Sequence, residues 1–182
     1  MHADFVHQRI FLCVILQSMI IIGIDPGTRV TGYGILLYHP HRPRALDFGC
    51  IRPPAKASSS KRYLIIFEAI EDLIEKHNPE VLAVESQFMH KNALSAMKLG
   101  MARAMAILAA ERRGIPIFEY TPKKAKKAIV GHGSASKEQV QKMIQALLHL
   151  PVMPTPDDAA DALALALCHA HEVPWNEKCL NI

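Results

Sequence analysis

Short apolar runs alternate with longer helical stretches along most of the chain, and this alternation predicts an α/β protein. An Ile-rich run over 20–24 leads directly into Asp25 and is closed by a Pro-Gly pair. Two further apolar runs follow, over 33–38 and 45–51. Because only short polar loops separate these runs, we expect three strands in an antiparallel meander.

The second half of the pattern is mainly helical. The elements that it predicts are helices over 61–77, 93–113, 123–130, 136–150 and 157–171, and strands over 80–85 and 115–120. A strand that is entered from a helix usually runs parallel to its predecessor in the sheet. The whole pattern therefore predicts one mixed five-stranded sheet with helices on both faces.

Length and composition favour a single domain. A chain of 182 residues can bury one substantial core, and we place that domain at 19–173. Residues 1–18 are interpreted as an extension outside the core, ahead of a second possible start at Met19, and 174–182 as a flexible tail. The apolar stretch over 10–16 is too short to span a membrane. The four cysteines are scattered, which favours a reducing, cytoplasmic compartment.

Two carboxylates end predicted strands. Asp25 follows the first apolar run and Glu85 follows the run VLAV of the fourth strand. If these strands are parallel neighbours, both side chains emerge at the edge where open α/β sheets bind ligands. An Asp before Pro-Gly can instead be a turn residue, and Glu85 an ordinary strand-end residue. A charge delivered straight from an apolar core nevertheless favours a cation as its partner.

More acidic residues open the last helix, in the sequence TPDDAADALALAL. Asp158 and Asp161 are three residues apart and share one helical face. Acidic residues at a helix start also stabilise the helix dipole, and Asp157 is interpreted as doing only that. Asp161 is flanked by Ala and Leu, a setting that would bury its carboxylate. Two histidines at the other end of this helix, His169 and His171, are interpreted as surface residues or as residues that compensate the helix dipole, rather than as ligands.

Four carboxylates that converge on one point would each be driven toward protonation. Divalent metal removes that penalty, and hard oxygen ligands select Mg²⁺ or Mn²⁺ over zinc. Two such ions about 4 Å apart would suit phosphodiester hydrolysis. The convergence of Asp25, Glu85, Asp158 and Asp161 on two Mg²⁺ ions is thus a hypothesis that the spacing alone does not prove.

Basic and aromatic residues flank the proposed acidic site. Lysines cluster over 123–127, with Lys137 further on, and the net charge is +4. Such a run can be a solvated helix face, but Lys126 and Lys137 are favoured here as phosphate contacts. Phe88, in a polar loop after Glu85, could stack on an unpaired base, anchor the loop or contact a second subunit. Arg29 could reach a phosphate or stay solvated.

Several motifs occur together in one order: GIDPGTRVTGYG, GCIR, VESQFMHKNALSAMKLGMAR, FEY, VGHGSASKEQVQ and DAADALALA. In these motifs the chain resembles the RuvC family of Holliday junction resolvases, from about 19 to 171. The resemblance implies a ribonuclease-H-like fold and a dimeric, Mg²⁺-dependent endonuclease that nicks opposed strands of four-way junction DNA. It also implies a branch-migration motor of the RuvA and RuvB type as partner.

The resemblance also implies roles for individual residues. The family's catalytic acids fall on Asp25, Glu85, Asp158 and Asp161, its junction-centre phenylalanine on Phe88, and its basic positions on Lys126 and Lys137. Some members have a histidine in the last-helix cluster, so the role of Asp158 as a direct metal ligand stays open.

Two other classes of protein compete with this interpretation. An actin-like or sugar-kinase-like phosphotransferase would use GIDPGT as a phosphate loop, but the chain has no room for the second domain such enzymes need. A catalytically silent nucleic-acid-binding module would be favoured by loss of an acid, and all four acids are present.

Overall fold

The computed structural model describes residues 18–40, 42–86 and 93–172. Its strands are β1 (Met19–Asp25), β2 (Thr31–Tyr38), β3 (Arg44–Ile51), β4 (Val81–Glu85) and β5 (Ile117–Tyr120). Its helices are α1 (Ser59–His77), α2 (Ala93–Glu111), α3 (Pro122–Val130), α4 (Lys137–Leu147) and α5 (Asp157–Glu172). The predicted tail and the predicted extension, apart from Ser18, fall outside the described residues, so the domain boundaries stay predictions.

The strands form one mixed sheet in the order β3-β2-β1-β4-β5. Strand β1 is antiparallel to β2, and β2 is antiparallel to β3, as the short loops predict. Strand β4 runs parallel to β1, with β5 parallel to β4 on its far side. The expected mixed five-stranded sheet is therefore confirmed, with β1 at its centre.

Local capping decides where the helices begin and end. Helix α1 starts two residues before the predicted position because the Ser58 side chain accepts a hydrogen bond from the Lys61 N–H. It ends where Asn78 adopts the left-handed conformation, with φ 47°. Helix α4 has the predicted Ser136 cap, closed reciprocally by Gln139. It ends three residues early, because the chain turns away through His149 at φ 51°.

Helices cover both faces of the sheet. Helices α1 and α2 enclose one core with residues such as Ile22, Ile24 and Leu82. Helices α3, α4 and α5 enclose the other core, on the face that contains Ile21 and Leu36. The apolar side chains of β1 thus contribute to the two cores in alternation, which explains why the strand sequence is almost wholly apolar.

Helix α5 is the central element of the second core. Every residue from Ala162 to Ala170 is buried. A Cβ atom on Gly23 or Gly32 would collide with the α5 main chain at Ala162 or Asp158. The absence of these side chains lets the helix lie directly against β1 and β2. This close approach determines where the acidic residues of α5 lie.

Helix α2 contrasts with α5, because much of its apolar surface is exposed. Leu94, Met97, Met101 and Leu108 are 44–64% exposed. Within the described ranges it is the one helix that is long and apolar enough to cross a membrane, by length and composition alone. Core helices of soluble proteins pass the same test, and α2 packs against α1.

Candidate active site

Asp25 and Glu85 lie side by side at the carboxyl edge of the sheet. Strands β1 and β4 pair in parallel register up to Ile24 and Val84, and the two acids are the next residue of each strand. The predicted placement of both carboxylates at one edge is therefore confirmed. The adjacent β1–β2 loop is pinned by Thr31, whose hydroxyl donates to the Gly27 carbonyl oxygen at 2.6 Å.

Helix α5 brings its acidic residues to the same edge. Its first turn crosses β2 at Gly32, which is paired with Asp25 and lies against the main chain of Asp158. Asp161 is one turn further along the helix. The charges of Asp158 and Asp161 both act on Asp25. The four predicted acids are thus brought into one electrostatically coupled group.

A cavity of about 280 Å³ lies at this edge. Its charged lining residues are Asp25, Glu85, Asp161, Lys126 and Lys137. Asp158 lies beside the cavity and does not line it. This arrangement agrees with the open role of Asp158 in the sequence analysis and separates it from the other three acids.

The carboxylates are costly to ionise in this setting. Burial, reinforced by the charges of Glu85, Asp161 and Asp158, raises the pKa of Asp25 to about 8. Burial and the charge of Asp161 raise the pKa of Glu85 to about 7. Burial also raises the pKa of Asp161, against the opposing charges of Lys137 and Lys126. The ionised carboxylates therefore lack sufficient positive charge around them, and an added cation would supply it.

Two lysines contribute positive charge to the cavity wall. The Lys126 ammonium group donates to the Ala135 carbonyl oxygen at 3.0 Å, which holds it between α3 and α4. Lys137, the first residue of α4, forms an ion pair with Asp157. Hydrogen bonding to Lys137 lowers the pKa of Asp157. Both predicted basic residues thus face the acidic group, and Asp157 has a partner that the sequence interpretation missed.

The donor set suits a hard divalent cation, since every acidic lining residue offers carboxylate oxygens. Among the residues that the structure describes, no group of three or more His, Cys, Asp or Glu side chains converges as a metal site. The carboxylates of Asp25, Glu85 and Asp161 thus line the cavity wall without meeting at one point. The carboxylate oxygens and the raised pKa values of these residues fit a bound metal ion, which would draw the acids together.

Two other sequence expectations have different outcomes. Phe88 lies outside the described residues, so its proposed stacking role stays a prediction. The surface interpretation of His169 is wrong: it is 1% exposed, and its Nδ1 lies 2.8 Å from the Tyr120 hydroxyl. This ring fills the space between α5 and β5, beside Phe118. His171 is exposed, as expected.

Comparisons with known proteins agree with this geometry. The model of the family described as crossover junction endodeoxyribonuclease RuvC matches residues 21–169. A protein of that name from Protochlamydia amoebophila is 56% identical over 154 residues, which cover 85% of this chain and 92% of the relative. Another from Moorella thermoacetica is 48% identical over 160 residues, 88% of this chain and 96% of the relative.

A solved structure extends the similarity to three dimensions. The RuvC protein of T. thermophilus in complex with a Holliday junction substrate is 34% identical, with a TM-score of 0.79. The match covers 84% of this chain and 93% of that chain. The yeast mitochondrial Holliday junction resolvase Ydc2, at 16% identity and a TM-score of 0.61, shares the fold. The expected resolvase-type, ribonuclease-H-like architecture is therefore confirmed, and the chain belongs to the RuvC family of crossover junction endodeoxyribonucleases.

Proposed function

We propose that this protein is a structure-selective endonuclease that resolves four-way (Holliday) DNA junctions by paired nicking of opposed strands, in recombination and repair. The observation that carries the proposal is the cavity at the sheet edge, where Asp25, Glu85 and Asp161 face Lys126 and Lys137. Family membership supports the substrate class, since a relative of 34% identity has been solved with junction DNA.

Mg²⁺ is the proposed cofactor, with two ions per site and Mn²⁺ as a substitute. Asp25, Glu85 and Asp161 would hold the metal, with Asp158 as the fourth acid of the group. When bound, such ions neutralise charge on the phosphate and lower the pKa of water. The raised pKa values of Asp25 and Glu85 support this proposal, because they mean that the site lacks the positive charge needed to stabilise the two carboxylates. A bound cation would supply that charge.

The lysines have a complementary role in the proposal. Lys126 and Lys137 line the same cavity as the strand-end acids, and their ammonium groups can bind the nonbridging oxygens of a phosphodiester. Lys126 is already oriented by the Ala135 carbonyl group. These contacts would hold the reacting phosphate in place while contributing no sequence preference. Phe88 remains the candidate for base stacking at the junction centre.

A homodimer is the proposed assembly, because one active site per subunit would give two nicks on two strands. The exposed apolar side chains of α2 support it: Leu94, Met97, Met101 and Leu108 recur on one side of the helix at spacings of three, four and seven. A twofold axis beside α2 would bury this stripe against its own copy. A branch-migration motor of the RuvA and RuvB type is proposed as partner from the family resemblance alone. A cytoplasmic location is proposed from the scattered cysteines alone.

The proposal is tested by nicking of a synthetic four-way junction, with linear duplex of the same sequence as control. The reaction is run with Mg²⁺, with Ca²⁺ and with chelator. Symmetric paired nicks on the junction with Mg²⁺ alone are expected. Asp25→Asn, which keeps the size of the side chain, should bind the junction without cutting it. Retained nicking by that variant would contradict the assignment of Asp25 as a catalytic residue.

Two rival outcomes discriminate the alternative classes. Binding of the junction without cleavage under every metal would identify a silent junction-binding module. Hydrolysis of ATP without junction binding would identify a phosphotransferase of the actin or sugar-kinase type. The Asp25–Glu85–Asp161 cavity opens at a sheet edge without a second domain over it in the described residues, which favours a substrate larger than a nucleotide.

A further inference from the structure

A second cavity lies at the same end of the sheet, on the opposite face from the acidic site. It has a volume of about 270 Å³ and is lined by Thr28, Arg29, Ala57, Ser59, Arg62, Tyr63 and Lys98. A neighbouring cavity of about 310 Å³ shares Arg29 and Arg62. The lining contains three cations and three hydroxyl groups, and no carboxylate. That composition suits a phosphate oxygen rather than a metal ion or an apolar ligand.

The three cations come from different elements, so their convergence is a product of the fold. Arg29 lies in the β1–β2 loop, Arg62 in α1 and Lys98 in α2. Ion pairs recorded within 18–40, 42–86 and 93–172 involve neither Arg29 nor Lys98. Both side chains are exposed. Their positive charge is therefore available to an anion that enters the cavity.

The site is also built to hold its shape. The Arg62 side chain donates to the carbonyl oxygens of Ala57, at 3.0 Å, and Ala55. The loop that carries Arg29 is closed by the buried Thr31, through hydrogen bonds to both the N–H and the carbonyl group of Gly27. Helix α1 begins at the cavity with Ser59, and its first-turn amides add positive potential to the two side-chain charges.

The position relative to the acidic cavity identifies the ligand. Thr28 follows Asp25 by three residues, so their Cα atoms lie no more than roughly 11 Å apart. That span is about three nucleotide steps of a DNA strand, at about 3.4 Å per step along the helix axis. A nucleic-acid backbone that passes from the acidic cavity around the sheet edge would therefore meet Arg29 and Lys98 within a few nucleotides. Binding of a free phosphate or nucleotide would not depend on how close this cavity lies to the acidic cavity.

We propose that this cavity is a second phosphate-binding site for the DNA backbone, which holds a strand a few nucleotides from the phosphodiester that is cut. The inference rests on the proposed function of the acidic cavity and adds a contact that orients the substrate there. Arg29 and Lys98 bind the phosphate, and Arg62 positions the loop between β3 and α1. Because the ligand is backbone phosphate, the contact supplies affinity without sequence preference.

The test measures binding of a four-way junction by fluorescence anisotropy across a salt series, in the full chain with Asp25→Asn to prevent cutting. Arg29→Ala and Lys98→Ala are each compared with Arg44→Ala. Arg44 is an exposed arginine at the opposite end of the sheet, so its substitution changes the net charge equally. The double variant Arg29→Ala/Lys98→Ala is expected to bind at least about tenfold more weakly. Its plot of log affinity against log salt should be shallower by about 2, while Arg44→Ala changes neither.

Other outcomes separate the possibilities. If the unmodified protein cuts junctions but the double variant binds like Arg44→Ala, the second site is refuted and the proposed function stands. If the unmodified protein neither binds nor cuts junctions, both fail together. Binding of inorganic phosphate at micromolar concentration that is lost in the double variant, with junction binding unchanged by the two substitutions, would assign the cavity to a small anion instead. Equal thermal unfolding of all four variants ensures that a loss of binding is not a loss of fold.

Discussion

Asp25 and Glu85 follow the last register pair of two parallel strands, and the charge of Glu85 makes the carboxyl group of Asp25 harder to ionise. Asp25 has its pKa raised to about 8 by burial and then by the charge of Glu85. Neither residue has a salt-bridge partner within the described parts of the chain. In the metal-free protein these carboxyl groups therefore ionise only as the pH rises to neutrality and above, and the stability of the protein should reveal the cost of that ionisation.

Asp25→Asn should stabilise the metal-free protein. The ordinary pKa of Asp25 is 3.8 and its folded value is about 8, so the folded state binds more protons between these pH values. The unfolding free energy of the native sequence therefore falls as pH rises through this window. At about pH 8 in chelator, the variant should be more stable by roughly 1–3 kcal/mol. The gap should close below about pH 4, where Asp25 becomes protonated in the unfolded state as well.

Thermal unfolding at several pH values measures this gap. Asp72→Asn, at an exposed position on α1, is the matched control and should show no growing gap. Addition of Mg²⁺ at about pH 8 should raise the melting temperature of the native sequence more than that of Asp25→Asn, since a ligand that binds the folded state stabilises it. A variant that is less stable than the native sequence at every pH would contradict the electrostatic account.

Gly32→Ala should displace the start of α5 and reduce cleavage. An added Cβ would collide with the Asp158 main chain, so the helix or the strand must shift. We expect a loss of stability of about 1–3 kcal/mol and a fall in the cleavage rate of folded protein. Gly114→Ala is the control: it introduces strain at φ 65° but meets no neighbouring atom. Equal specific activity in the two variants would show that α5 tolerates displacement.

Lys137→Ala should impair cleavage with little effect on stability. Its ion pair with Asp157 is solvent-exposed and contributes about 0–1 kcal/mol. Its ammonium group faces the acidic cavity, and loss of that charge should lower the rate by at least roughly tenfold. Lys142→Ala removes an exposed lysine of the same helix, paired with Glu138, and should cut normally. Identical rates for the two variants would exclude Lys137 from the site.

Met97→Asp should convert a dimer into a monomer. Met97 is 54% exposed on the apolar stripe of α2, where a buried charge on each copy would be costly. Light scattering coupled to size-exclusion chromatography measures the mass directly. Met143→Asp places the same change on α4 and should leave the mass unaltered. A dimer that survives Met97→Asp would move the interface away from α2.

Much of this fold was accessible from the sequence because the signals are local. The apolar runs that end in Asp25 and Glu85 predict both strands, and the parallel connection through α1 places both acids at one edge. Ser136 as a helix cap is equally local. These features depend on a few neighbouring residues and on general rules of chain topology, so no long-range information is required.

Other features depend on contacts between distant parts of the chain. Gly23 and Gly32 occur at turn-like or strand positions in the sequence, and their role is visible only once α5 lies across them. The pairing of Lys137 with Asp157 spans a proline-rich loop. His169 looks like a helix-end cation in the sequence, but β5 covers it through Tyr120. In each case the deciding partner comes from another element, whose position the sequence pattern leaves open.

The enclosure of α5 also limits how the acidic cavity can adapt to a cation. A helix that is buried at every residue from Ala162 to Ala170 does not slide as a unit without opening the interior. Adjustment therefore falls to bond rotations in the carboxylate side chains, with the main chain of Asp161 held still. Under the proposed function, the metal-binding group would then be assembled by torsions of individual side chains, without a hinge motion of α5 before the phosphodiester bond is attacked.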